Sequence, residues 1–146
     1  MFGSSDRLNA MNRQMLSGLT LFLLRFVVAV MFFQVGALKL FGWFGGMPAG
    51  VPMTPLIWAA GAIEVVGGVL IALGLFTRPV AFLCSGEMAV AYFHGHFRLP
   101  GGFWPIQNHG ELAVVYCFFF LYLWAHGPGP VSLDARIASR RSPSPA

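Results

Sequence analysis

Ionisable side chains interrupt four apolar stretches of this 146-residue chain. Two cations lie in the first stretch and one carboxylate in each of the others: Arg25, Lys39, Glu64, Glu87 and Glu111. A charge at the centre of a bilayer costs about 2.5–3.5 kcal/mol, so such groups usually face other helices, pair with one another and mark a functional path. Side chains of these types can transfer protons or hydrogen-bond a polar ligand. The pattern predicts a polar seam inside a helical bundle.

The stretches that carry these groups are long enough to cross a membrane as helices, which takes roughly 20 residues each. Hydrophobic residues make up 57% of the chain and charged residues 10%, with a mean hydropathy of +0.71, outside the range of soluble domains. We therefore expect an all-α fold, an integral membrane four-helix bundle. The first stretch is too long for the apolar part of a cleaved signal, so we expect it to be retained, with Met1 or Met11 as the start. The stretches cover residues 15–42, 55–76, 79–97 and 107–126.

The distribution of Lys and Arg predicts the orientation of the bundle. With four spans, both termini and the loop between the second and third helices share one side, which has six of these residues against two on the other. This predicts that both termini lie on the cytoplasmic side (N-in, C-in). The basic residues of that side should bind anionic lipid, and they give no support to nucleic-acid binding. Residues 1–14 are then a cytoplasmic segment, 15–135 the transmembrane domain and 136–146 a disordered basic tail. The two sets are Arg7, Arg13, Arg78, Arg136, Arg140 and Arg141, against Lys39 and Arg98.

Short motifs predict where the helices begin and end. Thr54 and Thr77 are each followed by proline within two residues, which is typical of a capped helix start. Asn108 and Glu111 have the spacing of a capping box, with the acid at the third helical position. The Gly-Pro pairs after His126 should end the fourth helix.

Helical spacing collects the polar residues into one stripe on each helix. The second stripe surrounds Glu64 with small residues, as close helix packing requires. All four stripes can meet in one bundle core. Counted from the helix starts, Arg25 and Glu87 reach similar depths, so we expect them to form an ion pair. The stripes are Arg25, Phe32, Gly36 and Lys39; Gly61, Glu64 and Gly68; Glu87, Ala91, His94 and Arg98; and Glu111, Val115, Phe118 and Tyr122.

The role of each buried charge differs. A pair of Arg25 with Glu87 or Glu64 could serve helix packing alone or function, and Glu111 is explained by its capping role. Glu64 has no local explanation, and three carboxylates face only two cations, which makes it the best functional candidate. No catalytic residue is assigned. The predicted functional seam is Arg25, Lys39, Glu64, Glu87, His94 and Glu111, and the predicted ligand-binding residues are Glu64, Asn108, His109 and Glu111.

Histidine and cysteine give little support for a metal or thiol site. His94, His96 and His109 have the right donor chemistry but no recognised site spacing, so no metal is expected. Cys84 and Cys117 stand alone within helices and behave as small apolar residues.

Six short runs, taken in order and spacing, resemble the DoxX family of four-helix bacterial membrane proteins. The resemblance covers residues 24 to 135, with cations on the first helix and glutamates on the second and fourth. It implies a bundle in the bacterial cytoplasmic (inner) membrane, because the family is made up of proteins of that kind. The runs are 24–26 (LRF), 36–40 (GALKL), 64–68 (EVVGG), 73–78 (LGLFTR), 108–112 (NHGEL) and 127–134 (GPGPVSLD).

The resemblance also implies a function. The family is named for a membrane subunit of a terminal quinol oxidase, and related subunits belong to thiosulfate:quinone oxidoreductases, so we expect a small membrane subunit of a quinone-linked redox complex that anchors the complex and contributes a polar site for a quinone or proton between its helices. The chain has no recognisable cofactor motif of its own, so a quinone or partner subunit must bring the electron carrier. If the protein is an enzyme, it is such a subunit without a cofactor of its own, and we expect it to assemble with other redox-complex subunits or as a homo-oligomer. Two alternatives stay open: a carrier or channel for a small solute or proton, and a scaffold or assembly protein without chemistry.

Overall fold

The computed structural model describes residues 4–98 and 101–141. Within these residues the chain is helical and has no strand, as predicted. Two helical segments are long and apolar enough to cross a membrane: Asp6–Phe41 and Pro55–Leu73. The α-helices are α1 Ser4–Phe41, α2 Pro55–Leu73, α3 Thr77–Val90, α4 Pro105–Asn108, α5 Glu111–His126 and α6 Leu133–Arg141.

The four long helices, α1, α2, α3 and α5, pack against one another in chain order. Helix α1 packs along α2, α2 on α3, and α3 on α5. Phe32 of α1 closes the core against Phe120 of α5, with ring centroids 4.8 Å apart in an edge contact. Many large apolar side chains lie on the outside of this core. An apolar exterior of this extent suits a lipid environment better than water.

Glycines allow the close contact of α1 with α2. A Cβ at Gly36 would lie 2.8 Å from the carbonyl oxygen of Gly61 and 2.8 Å from the backbone nitrogen of Val65. A Cβ at Gly68 would lie 2.8 Å from the Cβ of Phe33. Neither contact leaves room for a side chain, so the backbones touch. The predicted packing face of the second helix is confirmed.

One of the two predicted threonine caps is confirmed. The Thr54 hydroxyl accepts a hydrogen bond from the Ile57 amide at 3.3 Å. Thr77 is instead the first residue of α3. A distant residue caps the start of this helix: the Asp134 carboxylate accepts hydrogen bonds from the amides of Phe76 and Thr77, both at 2.9 Å. A carboxylate at a helix N-terminus is favourable because the terminal amides are otherwise unpaired.

The predicted capping box before the fourth long helix is wrong. Glu111 is the first residue of α5, not its third, and its side chain is exposed. The Asn108 side chain accepts a hydrogen bond from the Gly110 amide at 2.9 Å instead. The cause is α4, a single helical turn after Pro105 that ends in a left-handed residue, His109, and turns Asn108 inward.

Both chain ends are more helical than predicted. Helix α1 already begins at Ser4, and its 38 residues would extend about 57 Å, roughly twice the hydrocarbon thickness of a bilayer. Helix α6 covers part of the segment predicted as a disordered tail, and the Ser132 hydroxyl accepts a hydrogen bond from the Ala135 amide at 3.1 Å at its start. Residues 1–3 and 142–146 lie outside the described residues.

Candidate functional site

A cavity of about 280 Å³ lies between α1, α2, α3 and α5, and we call it the central cavity. Its walls are mostly apolar, with a small number of polar groups, which is the usual composition of a ligand site. The apolar walls are Phe32, Val35, Met88, Ala91, Leu112 and Ala113. The polar lining residues are Lys39, Glu64, His96, His109 and Tyr116.

An ion pair joins two of these polar residues. The Lys39 ammonium lies 2.6 Å from Oε1 of Glu64. Glu64 is fully buried in the middle of α2, and the Lys39 side chain is 18% exposed near the end of α1. The close approach of the helices at Gly36 brings the two charges together. Lys39 therefore neutralises the buried carboxylate, a partner that the sequence did not single out for it.

Three buried polar atoms near this pair have no hydrogen-bond partner among the described residues. They are Oε2 of Glu64, the Tyr116 hydroxyl and Oε2 of Glu87. A buried polar group without a partner costs about 1–3 kcal/mol, so it is usually satisfied by water or a bound molecule. Glu64 and Tyr116 both line the central cavity. The cavity therefore offers a free carboxylate oxygen and a free hydroxyl to a polar ligand.

A π-helical segment, Ala91–His96, continues α3 and decides which histidine reaches the cavity. The Phe97 amide donates to the Tyr92 carbonyl at 2.8 Å, five residues back. This i to i+5 hydrogen-bond pattern brings residues five positions apart to the same face, so Ala91 and His96 both line the cavity. In a regular helix His94 would share the face of Ala91, as predicted, but it is exposed on the outside. Segments of this kind often lie at functional sites.

His96 has a defined tautomer. Its Nδ1 lies 3.1 Å from the backbone carbonyl oxygen of Asn108. A carbonyl only accepts, so Nδ1 carries the hydrogen and Nε2 is left as an acceptor. Nε2 of His96 can thus accept a hydrogen bond while the ring is held by the loop.

Asn108, a predicted ligand-binding residue, holds this loop together. Its amide nitrogen donates to the Gly102 carbonyl at 2.8 Å and to the Tyr92 hydroxyl at 3.4 Å. Its oxygen accepts from the Gly110 amide, and the Tyr92 hydroxyl in turn donates to the Phe103 carbonyl. Both polar atoms of Asn108 are therefore already bonded within the protein.

The other four predicted residues lie in four different places. His109 lines the central cavity, whereas Glu111 is exposed at the start of α5. Glu87 is half-buried in α3. Arg25 lies at the opposite end of the molecule, where it donates to the Val131 carbonyl at 2.7 Å.

The predicted ion pair of Arg25 with Glu87 or Glu64 is therefore wrong. The prediction counted depth from residue 15, but α1 begins at Ser4 and runs past the other helices. The Arg25 guanidinium consequently packs against Gly74, the residue that ends α2. Lys39 is the cation that pairs with Glu64.

Two polar residues of the central cavity, His96 and Tyr116, are absent from the predicted site, and Tyr116 lies on α5. Helix α5 is apolar around its whole circumference, so the spacing of its polar residues does not identify the inner face. The buried face is Ala113, Tyr116, Phe120 and Leu123, and all four residues of the predicted stripe, Glu111, Val115, Phe118 and Tyr122, are exposed. The sequence signal for this face is a small residue, Ala113, three positions before Tyr116, because small residues are common where helices pack closely.

Residues that could bind a metal do not converge. In 4–98 and 101–141, no group of three or more His, Cys, Asp and Glu side chains could hold an ion. Cys84 and Cys117 are free thiols, and a Cβ at Gly67 would lie 2.7 Å from the Cys84 sulfur. Cys84 thus fills the contact of α2 with α3.

The fold and this cavity define a small helical membrane protein with a charged pair in its core. The DoxX family model matches residues 20–97, more than half of the chain and the part that contains Lys39, Glu64 and His96. An uncharacterized protein of Haemophilus influenzae is 46% identical over 114 residues, 76% of this chain and 85% of that protein. The chain belongs to the DoxX family. No solved structure matches it.

Proposed function

We propose that this protein is a small membrane subunit of a quinone-linked redox complex and that the central cavity receives the quinone head group. Membership of the DoxX family supports a membrane role. The redox role rests on what the family resemblance implies, because the family is named for a quinol oxidase subunit and has related subunits in thiosulfate:quinone oxidoreductases. The observation that carries the proposal is the fully buried Glu64, whose second carboxylate oxygen has no partner among the described residues beside a cavity.

The residues present fit a quinone head group. Its ring bears carbonyl oxygens that accept hydrogen bonds, and the Lys39 ammonium and Tyr116 hydroxyl are donors in the cavity lining. Ligand pockets span about 300–1,000 Å³, so a cavity of about 280 Å³ suits a ring without its chain. A second, apolar pocket of about 350 Å³ shares Met88 with the central cavity and is also lined by Phe93 and Trp104. It offers apolar space for a prenyl chain next to the head group.

The quinone, when bound, supplies the group that accepts or gives electrons. Lys39 positions a ring oxygen by donating to it and holds Glu64 through Oε1. Oε2 of Glu64 is free to take or give the proton that accompanies the electrons. His96, with Nε2 as acceptor, and the exposed His109 continue from the cavity towards the surface. The electron donor belongs to a partner subunit, because the chain carries no cofactor motif.

In this proposal four helical segments span the cytoplasmic membrane of a bacterium as a bundle, with both termini inside. The segments are α1, α2, α5 and α3 with its π-helical extension, Thr77–His96. The excess of Lys and Arg on the side of the termini, six against two, supports this orientation. The central cavity then lies in the outer half of the bundle.

The Glu64→Gln variant tests the proposal, with Glu111→Gln as the matched control because Glu111 is exposed outside the cavity. Loss of a positioned proton-transfer group should lower quinone-dependent electron flow in native membranes about a hundredfold, with normal membrane abundance. Glu111→Gln should retain full flow. Unchanged flow in Glu64→Gln would rule out the proposed role, and a proportional fall in abundance and flow would favour a scaffold.

A proton carrier is the second candidate function. The observation that favours it is the group of titratable side chains in one cavity, from buried Glu64 to exposed His109. Proton flux in proteoliposomes that contain this protein alone would support it, and flux that Glu64→Gln abolishes would assign it to this cavity. Absence of flux would leave the redox role.

A further inference from the structure

A further cavity, of about 600 Å³, lies at the opposite end of the molecule from the central cavity. Two arginines line it: Arg25 from α1 and Arg136 from α6. Its other walls include Phe26, Leu73 and Val131. We call it the arginine cavity.

Arg25 is only partly satisfied within the protein. Its side chain is 1% exposed, and Nη2 donates to the Val131 carbonyl. Its Nε and Nη1 are buried and have no hydrogen-bond partner among the described residues. A guanidinium donates strong hydrogen bonds to phosphate oxygens, so the two nitrogens without partners leave Arg25 able to donate to a bound anion.

The surroundings hold this guanidinium in place, and within residues 4–98 and 101–141 no carboxylate forms an ion pair with it. A Cβ at Gly74 would collide with the guanidinium, so a glycine is required there. The partial negative charge at the end of α2 offsets some of the charge of Arg25. The nearby carboxylate, Asp134, is engaged by the amides of Phe76 and Thr77. Arg136 adds a second cation, which is exposed.

We propose that the arginine cavity binds an anionic phosphate group, either of a lipid head group or of a soluble phosphate ester. The cavity lies at the end of α2, the depth of lipid head groups if α2 crosses the bilayer. Exposed apolar side chains beside the arginines, Phe26 and Leu73, can contact an acyl chain. Basic pockets between helices on the cytoplasmic side of membrane proteins bind anionic lipids in this way. The proposal does not depend on quinone chemistry.

The test is a lipid titration of the purified full-length protein in mild detergent, followed by native mass spectrometry. The probes are phosphatidylglycerol, phosphatidylcholine as the neutral comparison, and glycerol phosphate as the soluble ester. Arg136→Gln removes an exposed cavity residue and should fold, whereas Arg25→Gln removes the buried one. Arg140→Gln is the matched control, since it lies on the same helix outside the cavity lining.

We expect phosphatidylglycerol to bind at least tenfold more tightly than phosphatidylcholine. Arg136→Gln should weaken that binding roughly fivefold, the effect of one nearby cation, while Arg140→Gln leaves it unchanged. Binding of glycerol phosphate that depends on Arg136, without a preference for phosphatidylglycerol, would assign the site to a soluble ester. Equal binding of both lipids with no binding of glycerol phosphate, or equal losses in Arg136→Gln and Arg140→Gln, would overturn the proposal.

Discussion

Nζ of Lys39 lies 2.6 Å from Oε1 of Glu64, one helical turn from the place where Gly36 brings α1 against α2. A Cβ at Gly36 would lie 2.8 Å from the Cβ of Glu64, so the glycine and the ion pair belong to one contact. The glycine lets the backbones approach, and the pair neutralises the carboxylate that the approach buries. This leaves one oxygen of Glu64 free beside the central cavity.

Gly36→Ala should destabilise the protein by about 1–3 kcal/mol, because its Cβ meets backbone atoms of Gly61 and Val65 that cannot rotate away. The measurement is thermal unfolding in detergent. Gly86→Ala is the control, since a Cβ there meets nothing within 4 Å and alanine is the better helix former. Equal stability of the two variants would show that α1 and α2 do not touch at Gly36.

Lys39→Met should cost about 3–5 kcal/mol, since it leaves the buried Glu64 carboxylate without its cation. The double variant Lys39→Met with Glu64→Leu should recover most of that stability, because both charges are gone. Chemical unfolding of purified protein measures both. The double variant should still lack quinone-dependent electron flow; full flow in it would mean that the pair serves packing alone.

Asp134→Ala should destabilise α3 by about 0.5–2 kcal/mol, the usual cost of losing a helix cap. The local signature is faster hydrogen exchange at the amides of Phe76 and Thr77, which the Asp134 carboxylate accepts from. Asp6→Ala, at an exposed position in α1, is the control. Unchanged exchange at Phe76 and Thr77 in Asp134→Ala would contradict the cap.

Asn108→Ala should cost about 1–3 kcal/mol, because it leaves the Gly110 amide and the Gly102 carbonyl without their partner. Hydrogen exchange across residues 101–110 should increase. Quinone affinity should fall only in proportion to that increase in exchange. Gln107→Ala, at the exposed neighbouring position, provides the comparison. A selective loss of quinone affinity with an intact loop would instead make Asn108 a ligand residue.

The sequence predicted the helices and one helix contact well. The apolar lengths identified the helical segments, and the spacing of Gly61, Glu64 and Gly68 identified the face of α2 that packs on α1. It also placed Arg25 and Lys39 on one stripe, and both point into the protein. Such local periodicity is set by the helix geometry itself, so it can be read from one chain.

The site depended on features that local spacing does not contain. The π-helical segment places His96 in the cavity lining where a regular α-helix would place His94. A change of helical register at one residue cannot be predicted from the amino-acid composition. The predicted pair of Arg25 with Glu87 depends on where each helix begins, and α1 begins eleven residues before residue 15. Tyr116 lies on a helix that is apolar all round, where no periodic signal marks the inner face.

Labelling with a photoreactive quinone analogue in native membranes, followed by peptide mapping, tests the central cavity most directly. We predict labels on residues that line it, centred on Tyr116 and Met88 and reduced in Glu64→Gln. Labels confined to the exposed side of α5, at Val115 and Tyr122, and unchanged in Glu64→Gln would contradict a quinone site at the Lys39–Glu64 pair.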